Sequence, residues 1–338
     1  MDRTWPLARR VFLALDPELA HRLVMGLLAL PLPWERLGDA PRDERLATTV
    51  AGIRLENPLG LAAGFDKACA RLGALGALGF GYVVGGTITR RPREGNPRPR
   101  IVRYPRRRSM TNAMGLPNPG AAAAAENLLG SPRTAPRWVS LADEAVEDVV
   151  VAHRLVAPLV DAVELNASCP NVTWGRDRDD EAHLARLLAA LRAERRVPIF
   201  VKLPPFRTAR EREAVLAFAR VAQEGGADGL TCSNTRPVAD PRLAAGRGGL
   251  SGAALAADTP RIVAEVREAT GGELPINACG GISGPAEALA CLRAGAATVQ
   301  IYTALVYEGP RVVGRILRGL LDQLDTGGGA VADLVGAA

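Results

Sequence analysis

The stretch that decides the fold is IFVKLPPFRTAREREAVLAFARVAQEGGADGLTCS, residues 199–233, because it contains one whole unit of a repeated pattern. The apolar run 199–203 predicts a short buried strand, and residues 229–233 predict a second one. Between them, residues 210–224 have the length and spacing of a helix. This order of strand, helix and strand is typical of a parallel sheet that is buried on both faces.

The same alternation continues along the chain after residue 55. Eight apolar runs predict strands, at residues 59–63, 82–86, 138–141, 162–166, 199–203, 229–233, 276–279 and 298–302. Helical segments are predicted at residues 210–224, 260–270, 285–294 and 310–324. Eight such units are the number that closes a (β/α)8 barrel, so we predict an α/β fold of the TIM-barrel class. An open, doubly wound sheet is the alternative, because short strands are hard to count from sequence.

Length and composition agree with one large domain and argue against several classes of protein. The chain has 338 residues, of which 48% are hydrophobic and 4% aromatic, and its formal net charge is +6. So few aromatic side chains argue against nucleic-acid binding by base stacking. The five cysteines lack C-x-x-C spacing, which predicts neither disulfides nor a metal site and favours a reducing compartment. We therefore expect a cytoplasmic protein, or one that is peripheral on the inner face of the cell membrane.

Two segments lie outside the repeat. Residues 86–120 form a long insertion rich in Pro, Arg and Gly, and long ordered loops in barrels usually carry function. Its arginine-rich part, residues 90–108, could contact lipid, cover the site or line its rim. Residues 1–40 form an N-terminal extension ahead of a barrel predicted over residues 41–325. The Gly/Ala-rich tail, residues 326–338, is predicted to be poorly ordered.

The N-terminal extension has the pattern of a small amphipathic helical hairpin. Asp16, Pro17 and Glu18 provide an N-cap, a proline at the first helical position and an early acid, which together predict a helix start. Leucines recur at helical spacing behind this start, and residues 7–15 predict a shorter helix ahead of it. Because arginines edge the hairpin, it could lie on an anionic membrane. A hairpin packed on the barrel is the alternative.

Polar residues follow most of the predicted strands, at the end of the barrel where the active sites of this fold lie. They include Lys67, Thr87, Lys202, Ser233, Asn234, Thr235, Gly280, Gly281, Tyr302 and Thr303. A Gly-Gly pair ahead of a helix lets backbone N–H groups approach a phosphate, and Gly252 offers a second approach. With Thr303, these glycines predict a phosphorylated cofactor. Lys202 could form a Schiff base, act as a fixed cation beside a reduced flavin, or extend out of the barrel.

The run Asn-Ala-Ser-Cys-Pro-Asn, residues 166–171, begins where the strand predicted at 162–166 ends. Its two amides, Asn166 and Asn171, can donate to and accept from a planar, amide-rich ring. Cys169 between them can accept a proton once its pKa is lowered. The run therefore suggests a site that removes a carbon-bound proton from a cyclic amide. An Asn/Pro turn around an inert cysteine is the alternative.

Several motifs, in the same order along about residues 5–320, resemble those of the dihydroorotate dehydrogenase family. They are NPLGLAAGFDK (57–67), GT (86–87), RP (91–92) with GNP (95–97), NASCPN (166–171), VK (201–202), GLSG (249–252), GGI (280–282) and VQIY (299–302). The resemblance implies a (β/α)8 barrel that binds FMN and oxidises dihydroorotate to orotate in pyrimidine biosynthesis. Four asparagines at matching positions favour a uracil-like substrate.

The resemblance also implies a role for individual residues. FMN would be held by Ala63, Gly64, Lys67, Thr87, Asn166, Lys202, Ser233, Gly252, Gly281, Tyr302 and Thr303. The pyrimidine ring and its carboxylate would be held by Lys67, Asn112, Asn166, Asn171, Asn234 and Thr235. Cys169 would remove the proton from C5 while a hydride passes from C6 to flavin N5. Lys67 and Lys202 complete the predicted catalytic set.

The N-terminal extension implies the electron acceptor. The run Leu15-Asp16-Pro17-Glu18 with Ala20-His21 is similar to that of the membrane-associated class of the family, which passes electrons to a quinone. His21, Arg103 and Tyr302 fall where the quinone tunnel of that class ends. We therefore predict a quinone as the acceptor.

Three departures from the quinone-using class keep other interpretations open. That class normally has serine as its base, whereas Cys169 resembles the soluble class, which uses fumarate or NAD. The segment 112–118, with Ala113, also resembles the soluble class, and Ser140 stands where an asparagine usually contacts the flavin. The alternatives are a flavin enzyme of this family with a different cyclic amide, and an FMN-binding assembly partner without turnover. A non-flavin aldolase using Lys202 would leave the asparagines unexplained.

Overall fold

Strands that hydrogen-bond in a closed ring form the framework of the molecule. The computed structural model describes residues 4–167 and 179–337. Its strands are β1 Thr48–Val50, β2 Ile53–Leu55, β3 Leu59–Leu61, β4 Tyr82–Ile88, β5 Ile101–Tyr104, β6 Ser109–Asn112, β7 Arg137–Leu141, β8 Ala162–Leu165, β9 Ile199–Leu203, β10 Gly229–Cys232, β11 Arg236–Ala239, β12 Arg247–Gly252, β13 Ile276–Cys279 and β14 Thr298–Ile301. Eight of these strands pair in parallel and close a barrel.

The barrel contains every strand that the sequence predicted. Around the ring the order is β10, β13, β14, β3, β4, β7, β8 and β9, and β9 pairs with β10 to close it. The last strand of the chain lies beside the first barrel strand, where Val299 pairs with Leu59. The closed ring confirms the predicted (β/α)8 barrel, and the alternative of an open doubly wound sheet is wrong.

Helices connect the strands and cover the outside of the barrel. In chain order they are α1 Thr4–Ala14, α2 Pro17–Leu27, α3 Glu35–Gly38, α4 Leu72–Gly76, α5 Ala121–Gly130, α6 Val146–Val156, α7 Asp179–Arg192, α8 Ala209–Glu224, α9 Asp258–Ala269, α10 Pro285–Arg293, α11 Thr303–Glu308 and α12 Val312–Gly327. A capping box begins α8, in which Thr208 and Glu211 each accept a hydrogen bond from the other's backbone N–H. Such local signals explain why the sequence located α8 within one residue.

Aromatic side chains and a small hairpin close the barrel at the amino ends of its strands. Tyr82, Trp138 and Phe200 stack inside the ring, with centroids 4.3 and 4.4 Å apart. Gly60 leaves room for this stack, because a Cβ there would lie 2.4 Å from the Tyr82 ring. The hairpin of β1 and β2 adds apolar side chains to the same cluster. The active end of the barrel is therefore the opposite one.

A second sheet covers the carboxyl ends of the barrel strands, and we call it the cover sheet. Its strands run antiparallel in the order β11, β12, β6 and β5. The insertion at residues 86–120, which the sequence predicted only as a long loop, supplies β5 and β6. The chain after β10 supplies β11 and β12. Asn112 of β6 and Gly249 of β12 are 137 residues apart in sequence, so no local pattern could reveal their pairing.

A buried carboxylate holds the cover sheet together. Asp240 accepts hydrogen bonds from the hydroxyls of Tyr104 and Thr111 and from Arg242, and Thr111 Oγ1 lies 2.5 Å from Asp240 Oδ2. Burial would raise the pKa of Asp240, but these donors lower it to about 2. The insertion and the segment after β10 are thus joined by a group that stays charged at neutral pH.

The N-terminal extension folds as the predicted helical hairpin, made of α1 and α2. Asp16 Oδ1 caps α2 by accepting from the backbone N–H groups of Glu18 and Leu19, at 3.0 and 2.9 Å. Arg103 of the cover sheet donates to the carbonyl of Leu15 in the turn of the hairpin, so the hairpin packs on the insertion. Within residues 4–167 and 179–337, no helix has the length and apolarity needed to span a bilayer.

The tail differs from the poorly ordered segment that the sequence predicted after residue 325. Helix α12 continues to Gly327, and Val331–Leu334 form a 3-10 turn. Val331 is buried in the core, and the Gly336 N–H donates to the Leu292 carbonyl at 3.0 Å. Val331 and the partly buried Leu334 anchor this segment on the core, and the surrounding Gly/Ala-rich composition concealed them.

Candidate active site

A cavity at the carboxyl ends of the barrel strands brings most of the predicted site residues together. It is lined by barrel strand ends and by the cover sheet, including all the residues predicted to hold FMN: Ala63, Gly64, Lys67, Thr87, Asn166, Lys202, Ser233, Gly252, Gly281, Tyr302 and Thr303. Of the residues predicted to hold the substrate, it is lined by Lys67, Asn112, Asn166, Asn234 and Thr235. Cys169 and Asn171 lie outside the described residues. The role of each residue stays a prediction.

A chain of hydrogen bonds orients the amides of this cavity. The hydroxyls of Ser140 and Thr87 lie 3.0 Å apart, and Asn166 Nδ2 donates to Thr87 Oγ1 at 3.0 Å. Asn234 Nδ2 donates to Asn166 Oδ1 at 3.0 Å and accepts at Oδ1 from the Thr235 N–H at 2.8 Å. The amides are therefore held in place before a ligand arrives, which reduces the entropy lost on binding. Ser140, buried behind Thr87, supports this chain.

The cover sheet brings Asn112 to the cavity. Asn112 ends β6, where it pairs with Gly249 of β12. Gly249 has no room for a side chain, because a Cβ there would lie 1.9 Å from Thr235 Oγ1. Pairing of the two strands thus places Asn112 near Thr235. The sequence singled out both residues but not the sheet that joins them.

The use of lysine in this chain is itself informative. Of its 42 lysine and arginine residues only two are lysines, Lys67 and Lys202, and both line the cavity. Lysine can lose its proton when buried, whereas arginine stays charged, so the two residues are not interchangeable at a reactive site. This bias is visible in the composition and is a signal, not used above, that points to both residues.

Lys67 is a cation with an easily removed proton. Its Nζ donates to the Gly64 carbonyl at 2.6 Å. Burial and then the charge of Arg100 lower the pKa of Lys67 to about 8, against opposing effects of Glu18 and Asp66. The side chain is therefore mainly cationic at pH 7 and suits a carboxylate ligand, but it loses its charge as the pH rises past 8.

Lys202 points into the barrel. Its side chain is 7% exposed, and its Nζ lies 3.4 Å from Oε1 of the fully buried Glu164. Burial would lower the pKa of Lys202, but Cys279 and Glu164 raise it. Because burial raises the pKa of the Cys279 thiol, the carboxylate of Glu164 is the ion-pair partner of Lys202. The interpretation that Lys202 extends out of the barrel is therefore wrong. The Schiff-base alternative is disfavoured, because a paired ammonium is a poor nucleophile.

One part of the cavity is lined by backbone. Gly252 and Gly281 have φ angles of +88° and +76°, and a Cβ at either would lie 2.3 Å from a neighbouring backbone atom. Both positions therefore require glycine. Thr303, at the start of α11, donates its hydroxyl to Ser251 Oγ at 3.1 Å. Exposed backbone and hydroxyl groups of this kind suit a phosphate.

A buried amide oxygen at the same cavity suits a ring with N–H groups. Gln300 is 1% exposed and lines the cavity, and among the described residues its Oε1 has no hydrogen-bond partner. Unpaired buried oxygens are rare, and a ligand N–H would satisfy this one. Together with the glycine-lined part, these residues fit FMN.

A second cavity, of about 490 Å³, lies between the helical hairpin and the barrel. Its lining is mostly apolar and includes the three residues predicted for the quinone, His21, Arg103 and Tyr302. Phe65 lies between His21 and Tyr302, with ring centroids 5.3 and 5.6 Å away in edge-to-face contact. Burial and then Lys67 lower the pKa of His21 to about 4, so its imidazole is neutral at pH 7.

The two cavities share a wall. The residues that line both are Lys67, Ile101, Met110, Met114, Pro117 and Tyr302. A ligand in the first cavity would thus be separated from a ligand in the second by little more than side chains, an arrangement that suits electron transfer between two ring systems. The sequence singled out Lys67 and Tyr302, and Met114 and Pro117 lie in the segment 112–118 compared with the soluble class. Ile101 and Met110 are ordinary apolar side chains outside any motif.

Comparison with known proteins identifies the family. Residues 45–324 match the family model described as dihydroorotate dehydrogenase. The chain belongs to the dihydroorotate dehydrogenase family. The match spans the barrel and the cover sheet, so it includes every element that builds the polar cavity.

Individual dihydroorotate dehydrogenases resemble the chain over nearly its whole length. The protein named dihydroorotate dehydrogenase (quinone) from Rhodospirillum rubrum is 41% identical, with 98% of this chain and 93% of that protein covered. The protein of the same name from Sphingopyxis alaskensis is 39% identical, with 99% and 97% covered. The crystal structure of DHODH from Eimeria tenella in complex with ferulenol has a TM-score of 0.86 at 30% identity, with 95% of each chain covered. The resemblance inferred from the sequence is thus confirmed.

Three polar residues near this site were given no role from the sequence: Glu164 was not named, Gln300 was only part of the quoted run VQIY, and Cys279 was noted only as the residue that ends a strand. Gln300, Glu164 and Cys279 each lie within a barrel strand. Gln300 and Glu164 are flanked by apolar residues, as a buried parallel strand requires. A polar residue inside such a strand is the signal that could have found them.

Proposed function

We propose that this protein oxidises dihydroorotate to orotate, with FMN in the polar cavity and a quinone in the apolar one. The observation that best supports the proposal is the wall shared by the polar and the apolar cavities. A cavity lined by oriented amides and two lysines borders an apolar cavity of about 490 Å³. An assembly partner that only bound FMN would have no use for the second cavity.

The cofactor would be held by the residues predicted for it. Gly252 and Gly281, with Thr303, would bind the phosphate, and Lys202 would provide a positive charge to the ring system. The unpaired Gln300 oxygen would accept a hydrogen bond from the ring. When bound, FMN supplies the acceptor for the C6 hydride, a chemistry that no protein side chain offers.

The substrate would be bound by amides and a cation. The ring would be held by Asn112, Asn166, Asn171, Asn234 and Thr235, and the carboxylate by Lys67. Amides offer both donors and acceptors and so match the alternating N–H and C=O groups of a dihydropyrimidine. Lys67 at pH 7 would pair with the carboxylate, and such charge-assisted bonds are stronger than neutral ones.

Cys169 would act as the base that removes the C5 proton. This assignment comes from the sequence, since Cys169 lies outside the described residues. A thiol has a pKa of about 8.5, far closer to neutral than a serine hydroxyl. A modest lowering by a neighbouring cation would be enough to provide the thiolate at neutral pH.

The apolar cavity would admit the quinone. Neutral His21 can donate or accept one hydrogen bond, and Arg103 can donate several. Arg103 already donates to the carbonyl of Phe12 at 2.9 Å and to that of Leu15, which holds its guanidinium in place. Tyr302 lines both cavities and would lie between the two ligands.

We also propose that the extension, residues 1–40, contacts a membrane surface from which the quinone enters, beside a barrel over residues 41–325. Large apolar side chains of this segment are 37–55% exposed, at Val11, Leu19, Leu23, Leu27, Leu30, Leu32 and Leu37. Such concentrations on one segment mark interaction sites rather than ordinary protein surface. The protein would then be peripheral on the inner face of the cell membrane, with its arginines facing anionic lipid.

Turnover with different electron acceptors tests the proposal. FMN-loaded protein is given dihydroorotate and, in parallel, a short-chain ubiquinone, fumarate or NAD. We expect orotate to form with the quinone and not with the two soluble oxidants. Orotate formed only with fumarate or NAD would overturn the proposal that the acceptor is a quinone. If no acceptor gives orotate, the proposal that dihydroorotate is the substrate would also fail, and a family member that acts on another cyclic amide would be favoured.

A further inference from the structure

Beneath the polar cavity, the barrel interior contains a row of buried polar side chains where branched apolar residues are usual. The row is Lys202, Glu164, Thr231, Asn277, Thr298 and Tyr82, and all six residues are buried. The polar atoms of consecutive members are 3.4, 2.9, 3.3, 2.6 and 2.8 Å apart. The row therefore runs from the cavity to the aromatic stack at the far end of the barrel.

On the side of Glu164 away from Lys202, the hydrogen bonds of this row all point the same way. An ionised carboxylate only accepts, so Thr231 Oγ1 donates to Glu164. Because its one proton is used, Thr231 accepts from Asn277 Nδ2, while Asn277 Oδ1 accepts from Thr298. The Tyr82 hydroxyl must then donate to Thr298. Every donor in the row is thus directed toward Glu164.

Glu164 is surrounded as a buried carboxylate must be. A buried charge is unfavourable unless donors and a counter-ion compensate for the lost water. The row provides the donors on one side, Gln300 Nε2 approaches Glu164 at 3.5 Å, and Lys202 lies on the other side. Cys279 is the other titratable group against Lys202, and burial keeps its thiol protonated. The charge of Lys202 therefore depends on Glu164.

We propose that Glu164, with the donor row behind it, is a positioning residue that keeps Lys202 charged and directed at the FMN cavity. The effect on the flavin rests on the function proposed above, whereas the pairing is a property of the chain alone. Without the carboxylate, burial would favour the neutral amine, and the cavity would lose its fixed cation at neutral to alkaline pH.

Because the chain has two lysines, the ionisation of Lys202 can be measured directly. Lysine labelled with ¹³C at the ε carbon gives two lysine signals in the NMR spectrum of the full-length protein, and Lys67→Arg assigns them. We expect Lys202 to titrate above the ordinary lysine pKa in the unsubstituted protein, and about two units lower in Glu164→Gln. A Lys202 midpoint that is the same in both proteins would overturn the proposal.

Thr231→Val is the matched control, because it removes one donor to Glu164 and leaves both charges in place. We expect it to lower the unfolding temperature but to keep the Lys202 midpoint. A Lys202 shift as large as that in Glu164→Gln would show that packing rather than charge sets the midpoint, and would overturn the proposal. If Glu164→Gln does not fold, the double variant with Lys202→Met decides: a folded double variant supports the pairing, and an unfolded one contradicts it.

The bound flavin gives a second readout. In Glu164→Gln, at pH values below the one at which Lys202 loses its proton, the ammonium has no counter-ion. The reduction potential of the flavin should therefore be higher than in the unsubstituted protein. The difference from the unsubstituted protein should vanish as the pH rises through that value, and equal potentials at every pH would overturn the effect on the flavin. The potential is measured without dihydroorotate, so a wrong substrate would leave this test intact. If no FMN binds, the proposed function fails while the NMR result still tests the pairing.

Discussion

Lys67 and Lys202 line the same cavity, yet their surroundings move their pKa values in opposite directions. Lys202 has a buried carboxylate partner in Glu164, which outweighs the effect of burial. Lys67 donates to a neutral carbonyl, and burial and Arg100 lower its pKa to about 8. One lysine is therefore a constant cation near neutral pH, whereas the other responds to pH.

The KM for dihydroorotate should rise above pH 8. Below that pH the Lys67 ammonium attracts the substrate carboxylate, and above it the neutral amine does not, so KM should increase roughly tenfold per pH unit. Initial rates measured from about pH 6 to pH 9.5 provide the test. Lys67→Met serves as the control and should have a high KM without this pH dependence. A KM that is flat through pH 9 would contradict the role of Lys67.

Replacing Cys169 should separate flavin binding from chemistry. Cys169→Ala should bind FMN normally but reduce the rate of flavin reduction by dihydroorotate by about 10²–10⁴-fold, the usual contribution of a general base. Cys169→Ser should keep part of the activity if neighbouring groups can relay a proton. Rapid mixing under anaerobic conditions measures the rate. An unchanged rate in Cys169→Ala would remove Cys169 from the mechanism.

Among the strands, those that a local sequence pattern marks were predicted, and those that depend on pairing between distant segments were not. The eight barrel strands were located because a buried parallel strand is a continuous apolar run that can be recognised locally. The cover sheet was missed because β6 and β12 pair across 137 residues and contain arginine, glycine and hydroxyl side chains instead of an apolar run. The sequence could show that the insertion mattered, but not that it folds as a sheet.

A largely buried ion pair joins the helical hairpin to the insertion. Two nitrogens of Arg100, Nε and Nη2, lie 3.0 Å from the two carboxylate oxygens of Glu18. Their side chains are only 10% and 14% exposed. Arg98 also pairs with Glu18 at 3.0 Å but is 61% exposed. These two arginines allow a comparison between a buried and an exposed partner.

Breaking the buried pair should affect the quinone more than the substrate. We expect Arg100→Gln to raise the KM for quinone several-fold, because Glu18 would be left partly buried without its main partner and the hairpin would loosen. Reduction of the flavin by dihydroorotate should change little at pH 7. Arg98→Gln is the matched control and should have less than about a twofold effect, as exposed pairs contribute little. Equal effects of the two variants on quinone KM would refute this account of the hairpin.

At the scale of the whole molecule, the two cavities were only partly foreseeable. Motif residues such as Asn166, Lys202 and Gly281 lie at strand ends, so knowing the barrel was enough to group them. The shared wall, in contrast, includes apolar residues such as Ile101 and Met110, which no motif marks. Such a wall follows only from the packing of the hairpin and the insertion on the barrel.

The exposed leucines of the hairpin should govern membrane binding. We expect Leu23→Ser with Leu27→Ser to reduce co-sedimentation with vesicles of phosphatidylethanolamine and phosphatidylglycerol several-fold, since these side chains are 46% and 45% exposed. Leu129→Ser provides the control, because Leu129 is 71% exposed but lies on α5, which is not part of the hairpin. An equal loss in both proteins, or no vesicle binding by the unsubstituted protein, would contradict the membrane proposal.

The most direct test of the central claim is to mix the FMN-loaded protein with dihydroorotate in the absence of oxygen and of any other acceptor. Our account predicts rapid loss of the oxidised flavin absorbance, with one orotate formed for each flavin reduced. A flavin that stays bound and oxidised in excess dihydroorotate would contradict the claim that this cavity oxidises dihydroorotate.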